Sequence, residues 1–186
     1  LCQAAATELF AAHPEEKQRI DALIFVTQSP DFDQPATACT LQHRLGLPQS
    51  CATFDVNQGC AGYVYGLWLA GTMVASGSCG SVLLLVGDAP YRPRDLRNRI
   101  MAPIFGDAGS ATLIKRDVNA PPLIFSIGTD GAGFAHIIQP GGRARVPFSE
   151  KFENTRPFFE DIQGADGYPW RLCDTYMDGA AVFNFT

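Results

Sequence analysis

Cys60 lies in a segment whose residue types suit a reactive thiol. Small residues flank it on both sides: Gly59, Ala61 and Gly62. A short β-type run before this turn and a long apolar helical pattern after it place the cysteine where a strand, a turn and a helix meet. The dipole and free N–H groups of a helix N-terminus favour a thiolate over a thiol and can bind a developing oxyanion. The pattern therefore predicts a nucleophile elbow that a thioester can approach closely.

The other chemistry-bearing residues carry no such pattern. Five further cysteines are predicted to be reduced core residues, because free cysteine is among the most buried residue types: Cys2, Cys39, Cys51, Cys79 and Cys173. The chain has no Cys-x-x-Cys pair, and its three histidines are far apart in sequence: His13, His43 and His136. We expect no metal site, and we expect the histidines to have ordinary surface or core roles.

The composition limits the class of protein. With 186 residues, 46% hydrophobic and 18% charged, the chain is long enough for one buried core. A net charge of −5 argues against nucleic acid and anionic membranes as partners. The longest apolar runs, such as Ser81–Val86, are too short to span a bilayer, and no signal-peptide pattern occurs, so we expect a cytoplasmic protein. The chain begins inside a helical pattern and ends without a polar tail, which predicts a fragment of a longer polypeptide.

The elements that must hold Cys60 alternate between strands and helices. Five strands are predicted: Ala22–Thr27, Thr53–Val56, Ser81–Val86, Ala111–Lys115 and Leu123–Ile127. Helices are predicted at four places: along an apolar stripe of Leu1, Ala5, Leu9 and Ala12, from Pro35 through Leu45, from Cys60 to about Ser76, and from Asp178. Strands that are apolar on both faces indicate an α/β protein with helices covering both sides of the sheet. The aperiodic stretch 139–170 is predicted to be a long loop or cap.

Four motifs occur in an order that resembles β-ketoacyl-acyl-carrier-protein synthase III of the thiolase superfamily. They are Pro35–Cys39, Asn57–Tyr63, Phe105–Ala111 and Met177-x-Gly179-x-x-Val182-Phe183. The resemblance implies a thiolase-like fold of two similar halves, each with a five-stranded mixed sheet packed between helices. Residues 1–186 would form most of the N-terminal half, with the central helix starting at about residue 178. Family members are about twice this length and form homodimers through their N-terminal halves.

The resemblance also implies an activity, an acyltransferase reaction without a cofactor. Cys60 would take an acyl group from acyl-CoA, and the enolate formed when malonyl-acyl-carrier protein loses CO₂ would then attack that thioester. The family's catalytic His and Asn belong to the C-terminal half and are not identifiable here. The chain alone is therefore expected to be inactive in condensation.

Other positions follow from the same resemblance. Arg99 matches a basic residue near the CoA adenine and phosphates, although a solvated loop arginine is an equal alternative. Three residues match positions near the acyl pocket and pantetheine tunnel, where the alternative is a plain core role: Phe105, Met177 and Phe183. Gln34 stands where many members have a Phe that reaches into the partner subunit's acyl pocket, so the acyl-chain specificity is not predicted.

Two other functions stay open from the sequence. The first keeps the acyl-cysteine but transfers the acyl group to a hydroxyl or an amine, or serves the synthesis of a secondary metabolite. The second is a non-catalytic dimerisation subunit, a hypothesis supported only by the missing His and Asn. Release of CO₂ from a malonyl thioester distinguishes condensation from the first alternative.

Overall fold

The structure is a computed structural model that describes residues 1–90, 103–144, 147 and 174–185. The chain divides into two compact units. The first comprises Leu1–Ala89 and Asp107–Ile127, and the second comprises Pro90–Gly106 and Gly128–Thr186. Among the described residues, no helix combines the length and the apolar composition needed to cross a membrane.

The first unit is built on a mixed four-stranded sheet. Its strands are β1 (Ala22–Val26), β2 (Ala52–Val56), β3 (Ser81–Asp88) and β4 (Ala108–Lys115), in the order β2–β1–β3–β4. β1 is parallel to both β2 and β3, whereas β4 runs antiparallel to β3. Every residue of β1 is buried, as the apolar run predicted for a strand covered on both faces.

Helices cover both faces of this sheet. Helices α1 (Cys2–Ala12) and α2 (Thr37–Leu45) pack on one face, in a core that includes Leu23 and Leu83. Helix α3 (Gly62–Ala75) packs on the other face, in a second core that includes Ile24 and Leu84. Successive strand residues thus enter opposite cores, as the pleat requires. The predicted α/β class, a mixed sheet packed between helices, is confirmed.

Two glycines let α3 lie close to the sheet. A Cβ on Gly62 would stand 2.7 Å from Cγ1 of Val26, and a Cβ on Gly66 would stand 2.6 Å from Cδ1 of Leu84. Carbon atoms do not approach this closely without strain, so a larger residue at either position would displace the neighbouring side chain. The glycine pair fixes how near α3 and the turn before it approach β1.

The structure corrects two sequence predictions. Residues 123–127 form no strand, and Leu123 and Ile124 are 63% and 91% exposed. An apolar run forms a strand only where an adjacent strand can accept and donate its backbone hydrogen bonds, and residues 123–127 pair with no strand of the described sheet. The predicted stripe of α1 is rotated by one residue, since Leu1 is exposed and the buried residues are Cys2, Ala6 and Phe10.

The second unit contains short elements in its described part. Strand β5 (Ile137–Ile138) pairs antiparallel with β6 (Tyr176–Met177), and helix α4 spans Gly179–Phe185. Asp178 caps α4, because its Oδ1 accepts a hydrogen bond from the N–H of Ala181 at 2.9 Å. The predicted helix start at about residue 178 agrees with this cap. Most of the predicted loop at 139–170 lies outside the described residues.

Candidate active site

Cys60 is exposed and lies in the turn that joins β2 to α3. The helix begins two residues after the cysteine, at Gly62, with Ala61 as its N-cap residue. The N–H of Gly62 donates to the carbonyl oxygen of Gly59 at 2.7 Å, which closes the turn around Cys60. The predicted arrangement of strand, turn and helix is therefore present, and Cys60 is exposed within it. Its role as a nucleophile stays a prediction.

The turn rests on the last residue of β1, Val26, and on Gln28, two residues after that strand. A Cβ on Gly59 would stand 2.9 Å from Oε1 of Gln28, so the Gln28 carboxamide lies directly against the Gly59 backbone. At the other end of the turn, Gly62 lies against Val26. Cys60 therefore lies between two glycines, one in close contact with Gln28 and the other in close contact with the last residue of β1.

Asp55 ties the strand before Cys60 to a neighbouring helix. Its two carboxylate oxygens accept hydrogen bonds from the N–H groups of Thr37 at 2.7 Å and Ala38 at 2.8 Å. These donors belong to the first turn of α2, where backbone N–H groups have no partner within the helix. The charge-assisted bonds anchor α2 to β2, five residues before the cysteine.

The remaining described cysteines differ in exposure. Cys2, Cys51 and Cys79 are buried, as predicted. Burial raises the pKa of all three thiols, and for Cys51, where the nearby Asp21 adds to the effect, the pKa rises to about 11. Their environment therefore keeps them protonated and poor nucleophiles.

Cys39 is exposed, so its predicted core role is wrong. Its neighbours Ala38 and Leu41 occupy the buried stripe of α2, and Cys39 falls beside that stripe, with Sγ 3.4 Å from Oγ1 of Thr53. Cys173 lies outside the described residues. Of the described cysteines, Cys60 alone combines exposure with the turn that leads into a long helix.

The structure places the other predicted site residues in different settings. Gln34 is exposed in the segment before α2. Phe105 and Met177 are half-buried and Phe183 is 82% exposed, and all three belong to the second unit. Arg99 lies outside the described residues. The roles of these residues around CoA and the acyl chain stay predictions.

The three histidines lie in different settings. His13 and His43 are exposed in the first unit, and His136 is half-buried in the second. No three potential metal ligands cluster in the described part of the chain. Sequence reasoning missed Asp88, which lies at the carboxyl end of β3 and bonds to the residues beside the Cys60 turn. The sequence did contain a signal for Asp88, because it follows the apolar run of β3 at that strand's carboxyl end. Since β1 and β3 are parallel, this places Asp88 next to the residues that follow β1.

Comparisons with known proteins relate the chain to one family. Residues 54–131, which include Cys60, match a family model described as 3-Oxoacyl-[acyl-carrier-protein (ACP)] synthase III. A putative 3-oxoacyl-[acyl-carrier-protein] synthase 3 of Campylobacter jejuni is 41% identical over 97% of this chain and 49% of that protein. The β-ketoacyl-[acyl-carrier-protein] synthase III of Syntrophomonas wolfei is 31% identical over 88% of this chain and 49% of its own length. The chain thus spans about half the length of the curated relatives it matches.

Solved structures show the same fold. A crystal structure of a 3-oxoacyl-(acyl-carrier-protein) synthase III superposes with a TM-score of 0.89 at 36% identity, covering 100% of this chain and 54% of that one. The synthase from Burkholderia xenovorans gives a TM-score of 0.79 at 33% identity, covering 100% of this chain and 50% of the other. The thiolase-like fold and the resemblance inferred from the four motifs are confirmed.

Proposed function

Because residues 54–131 match the family model of 3-oxoacyl-[acyl-carrier-protein] synthase III, we propose that the whole protein is a condensing enzyme of fatty-acid or related biosynthesis. The observation that carries the proposal is the exposed Cys60 in the turn before α3. Its thiol is open to substrate, while three other described thiols are buried.

In the first half-reaction, the Cys60 thiolate attacks the thioester carbonyl of acyl-CoA. The carbonyl oxygen becomes an oxyanion, which N–H groups in the first turn of α3 after Gly62 would bind, because the N–H of Gly62 itself donates to Gly59. Collapse of this intermediate breaks the bond to CoA, which leaves as a thiolate, and the acyl group remains on Cys60. A covalent intermediate of this kind divides one difficult transfer into two easier steps.

In the second half-reaction, malonyl-acyl-carrier protein loses CO₂, and the electrons of the broken C–C bond form an enolate. The enolate carbon attacks the acyl-Cys60 carbonyl, and the cysteine leaves as a thiolate. Stabilisation of the enolate needs hydrogen-bond donors, a role that the family resemblance gives to a His and an Asn of the C-terminal half. We propose that residues outside this chain provide them, so that the 186 residues alone perform no condensation.

The proposed partners follow from these steps. Acyl-CoA and acyl-carrier protein are the proposed substrates, and no separate cofactor takes part in either step. The cytoplasmic location and the homodimer are further proposals, which rest on the sequence and the family resemblance and not on these steps. The C. jejuni and S. wolfei relatives, whose names include the acyl-carrier protein, support the carrier-protein substrate.

Acyl labelling tests the first half-reaction. The full-length protein is incubated with radiolabelled acetyl-CoA or octanoyl-CoA, digested, and mapped for label by mass spectrometry. We expect label on Cys60 and its loss in Cys60→Ala, while Cys39→Ala, the matched exposed-thiol control, keeps wild-type labelling. Label that persists in Cys60→Ala, or an unlabelled wild-type protein, would reject the proposed nucleophile.

The fate of a malonyl thioester tests the second half-reaction. Condensation releases one CO₂ for each acyl group removed from Cys60. The exposed Gln34, at the position where many family members have a Phe, favours testing other acceptors as well. Transfer of the label to an alcohol or an amine without CO₂ release would replace condensation by the alternative acyltransferase activity.

A further inference from the structure

Asp88 binds the loop that follows β1 through a single carboxylate oxygen. Its Oδ1 accepts hydrogen bonds from the N–H of Gln28 at 2.7 Å and the N–H of Ser29 at 3.0 Å. The same oxygen accepts from Oγ1 of Thr27 and Oγ of Ser29, both at 2.9 Å. The negative charge of the Asp88 carboxylate strengthens all four hydrogen bonds. Together they fix the backbone of residues 27–29 against the end of β3.

The loop and the strand are joined at a second point. The Oγ of Ser29 also accepts a hydrogen bond from the N–H of Ala89 at 2.8 Å. The loop after β1 therefore also binds the residue that follows β3. Because β1 and β3 are parallel, with Val26 opposite Val86, these bonds extend the pairing beyond the last ladder residues. These hydrogen bonds therefore fix the backbone at the carboxyl ends of β1 and β3, the part of the sheet that contacts the Cys60 turn.

The Asp88 network reaches Cys60 through Gln28. The main chain of Gln28 donates to Asp88, while its exposed side chain lies against Gly59, one residue before the cysteine. The N–H of Gly62 donates to the carbonyl oxygen of Gly59, so a shift of Gly59 would also shift Cys60, which lies between these two residues. A displaced Gln28 would leave Gly59 without this support.

We propose that Asp88 is a positioning residue that sets the placement of Cys60 for attack on a thioester, with Gln28 as the link. The inference rests on the proposed acylation of Cys60. Asp88 touches neither the thiol nor, on the contacts described, any group that reacts. Its loss would misplace the nucleophile, and small misplacements slow reactions whose partners must be aligned.

Two variants test the positioning role. Asp88→Ala removes the acceptor, and Gln28→Ala removes the link while leaving the Asp88 bonds to the backbone in place. We expect the acylation rate of Cys60 by acetyl-CoA at saturation to fall about tenfold in Asp88→Ala and about threefold in Gln28→Ala. Asp88→Asn, which keeps an acceptor oxygen, should restore most of the rate.

Asp21 supplies the matched control at the opposite end of the same sheet. Its Oδ2 accepts from the N–H groups of Gly80 at 2.7 Å and Ser81 at 3.1 Å. Asp21→Ala therefore also removes a carboxylate that binds backbone groups, but far along the strands from Cys60. We expect it to lower the melting temperature without slowing acylation.

Amide hydrogen exchange of residues 59–62 gives a readout that does not depend on acylation. Exchange in this turn should be faster in Asp88→Ala and Gln28→Ala than in the wild type and in Asp21→Ala. If the wild-type protein takes up no acyl label, the proposed function fails, and exchange alone decides whether Asp88 positions the turn. If Asp88→Ala does not fold, Gln28→Ala decides. The inference would be overturned if the folded variants exchanged and were acylated at the wild-type rates. It would also be overturned if Asp21→Ala slowed acylation as much as Asp88→Ala does.

Discussion

The carboxamide of Gln28 lies against the backbone of Gly59, leaving 2.9 Å between its Oε1 and the position that a Cβ would occupy. Because Gln28 is exposed and the nearby atom ends a flexible side chain, Gly59→Ala can be accommodated by a rotation of that side chain. We expect Gly59→Ala to lower the free energy of unfolding by less than about 1 kcal/mol. Acylation of Cys60 should nevertheless slow, because the turn loses its support. Urea denaturation and acyl labelling of the same sample measure both effects.

Gly66→Ala provides the opposite case on the same helix. The added methyl would meet Leu84 at 2.6 Å and Val26 at 3.1 Å, both in the buried core on this face of the sheet. Overpacking of a filled core costs about 1–3 kcal/mol, since these side chains have no free space to enter. Urea denaturation should show this loss. A Gly66→Ala protein as stable as Gly59→Ala would contradict the close approach of α3 to the sheet.

The main strands and the Cys60 turn could be predicted from the sequence because their signals are local. The apolar run of β1 contributes buried side chains to both cores. The small residues around Cys60 coincide with a real close approach to β1. The run at 123–127 has similar composition, but strand formation depends on a neighbouring edge, which local composition does not reveal.

Contacts between distant segments could not be predicted in the same way. The inward face of α1 includes Cys2 because Gly87 and Gly109 leave room there for its sulfur, which comes within 2.5 Å and 2.9 Å of the Cβ positions they lack. The bonds from Asp88 to residues 27–29 join segments about sixty positions apart and depend on strand order. Helix periodicity in α2, marked by Leu41 and Leu45, could have shown that Cys39 lies off the buried stripe.

Removal of the Asp55 carboxylate should weaken the attachment of α2. Asp55→Ala leaves the N–H groups of Thr37 and Ala38 without their charged acceptor in a half-buried position. We expect a loss of about 1–3 kcal/mol in the free energy of unfolding, measured by urea denaturation. Asp55→Asn should fall between the wild type and Asp55→Ala, because one of its two atoms can still accept. Equal stability of all three proteins would argue against the anchoring role.

Thiol accessibility should divide the described cysteines. Under native conditions at pH 8, we expect iodoacetamide to modify Cys39 and Cys60, which are exposed. Cys51, whose pKa is raised to about 11 chiefly by burial, should react only after denaturation. Peptide mapping by mass spectrometry measures the modification.

The raised pKa of Cys51 should also make the stability of the protein depend on alkaline pH. Above about pH 8.5 the unfolded chain loses the thiol proton while the folded protein keeps it, so the free energy of unfolding should fall as pH rises. Cys51→Ala should reduce this alkaline loss of stability.

Acid stability should depend on the buried Glu16, which is paired with Lys115. The Lys115 hydrogen bond holds the pKa of the Glu16 carboxyl below its usual range, against the opposing effect of burial. A lowered folded pKa contributes stability that is complete above the unfolded value of about 4.3 and is lost as pH falls through the folded pKa. We therefore expect Lys115→Met to flatten the decline of the unfolding free energy below about pH 5 and to lower stability near pH 7.

Glu15→Gln is the matched control for this pH dependence. Glu15 is 3.9 Å from His13 in a pair whose side chains are 56% and 61% exposed, and exposed pairs of this kind contribute little to stability. Its acid denaturation curve should therefore follow that of the wild type. Since Oε2 of Glu16 is buried and has no hydrogen-bond partner among the described residues, the bond from Lys115 to Oε1 is the largest of the interactions that lower the pKa of this carboxyl, ahead of the charges of Arg19 and His13. An acid profile unchanged by Lys115→Met would mean that the ion pair does not hold the charge of Glu16 in the folded protein.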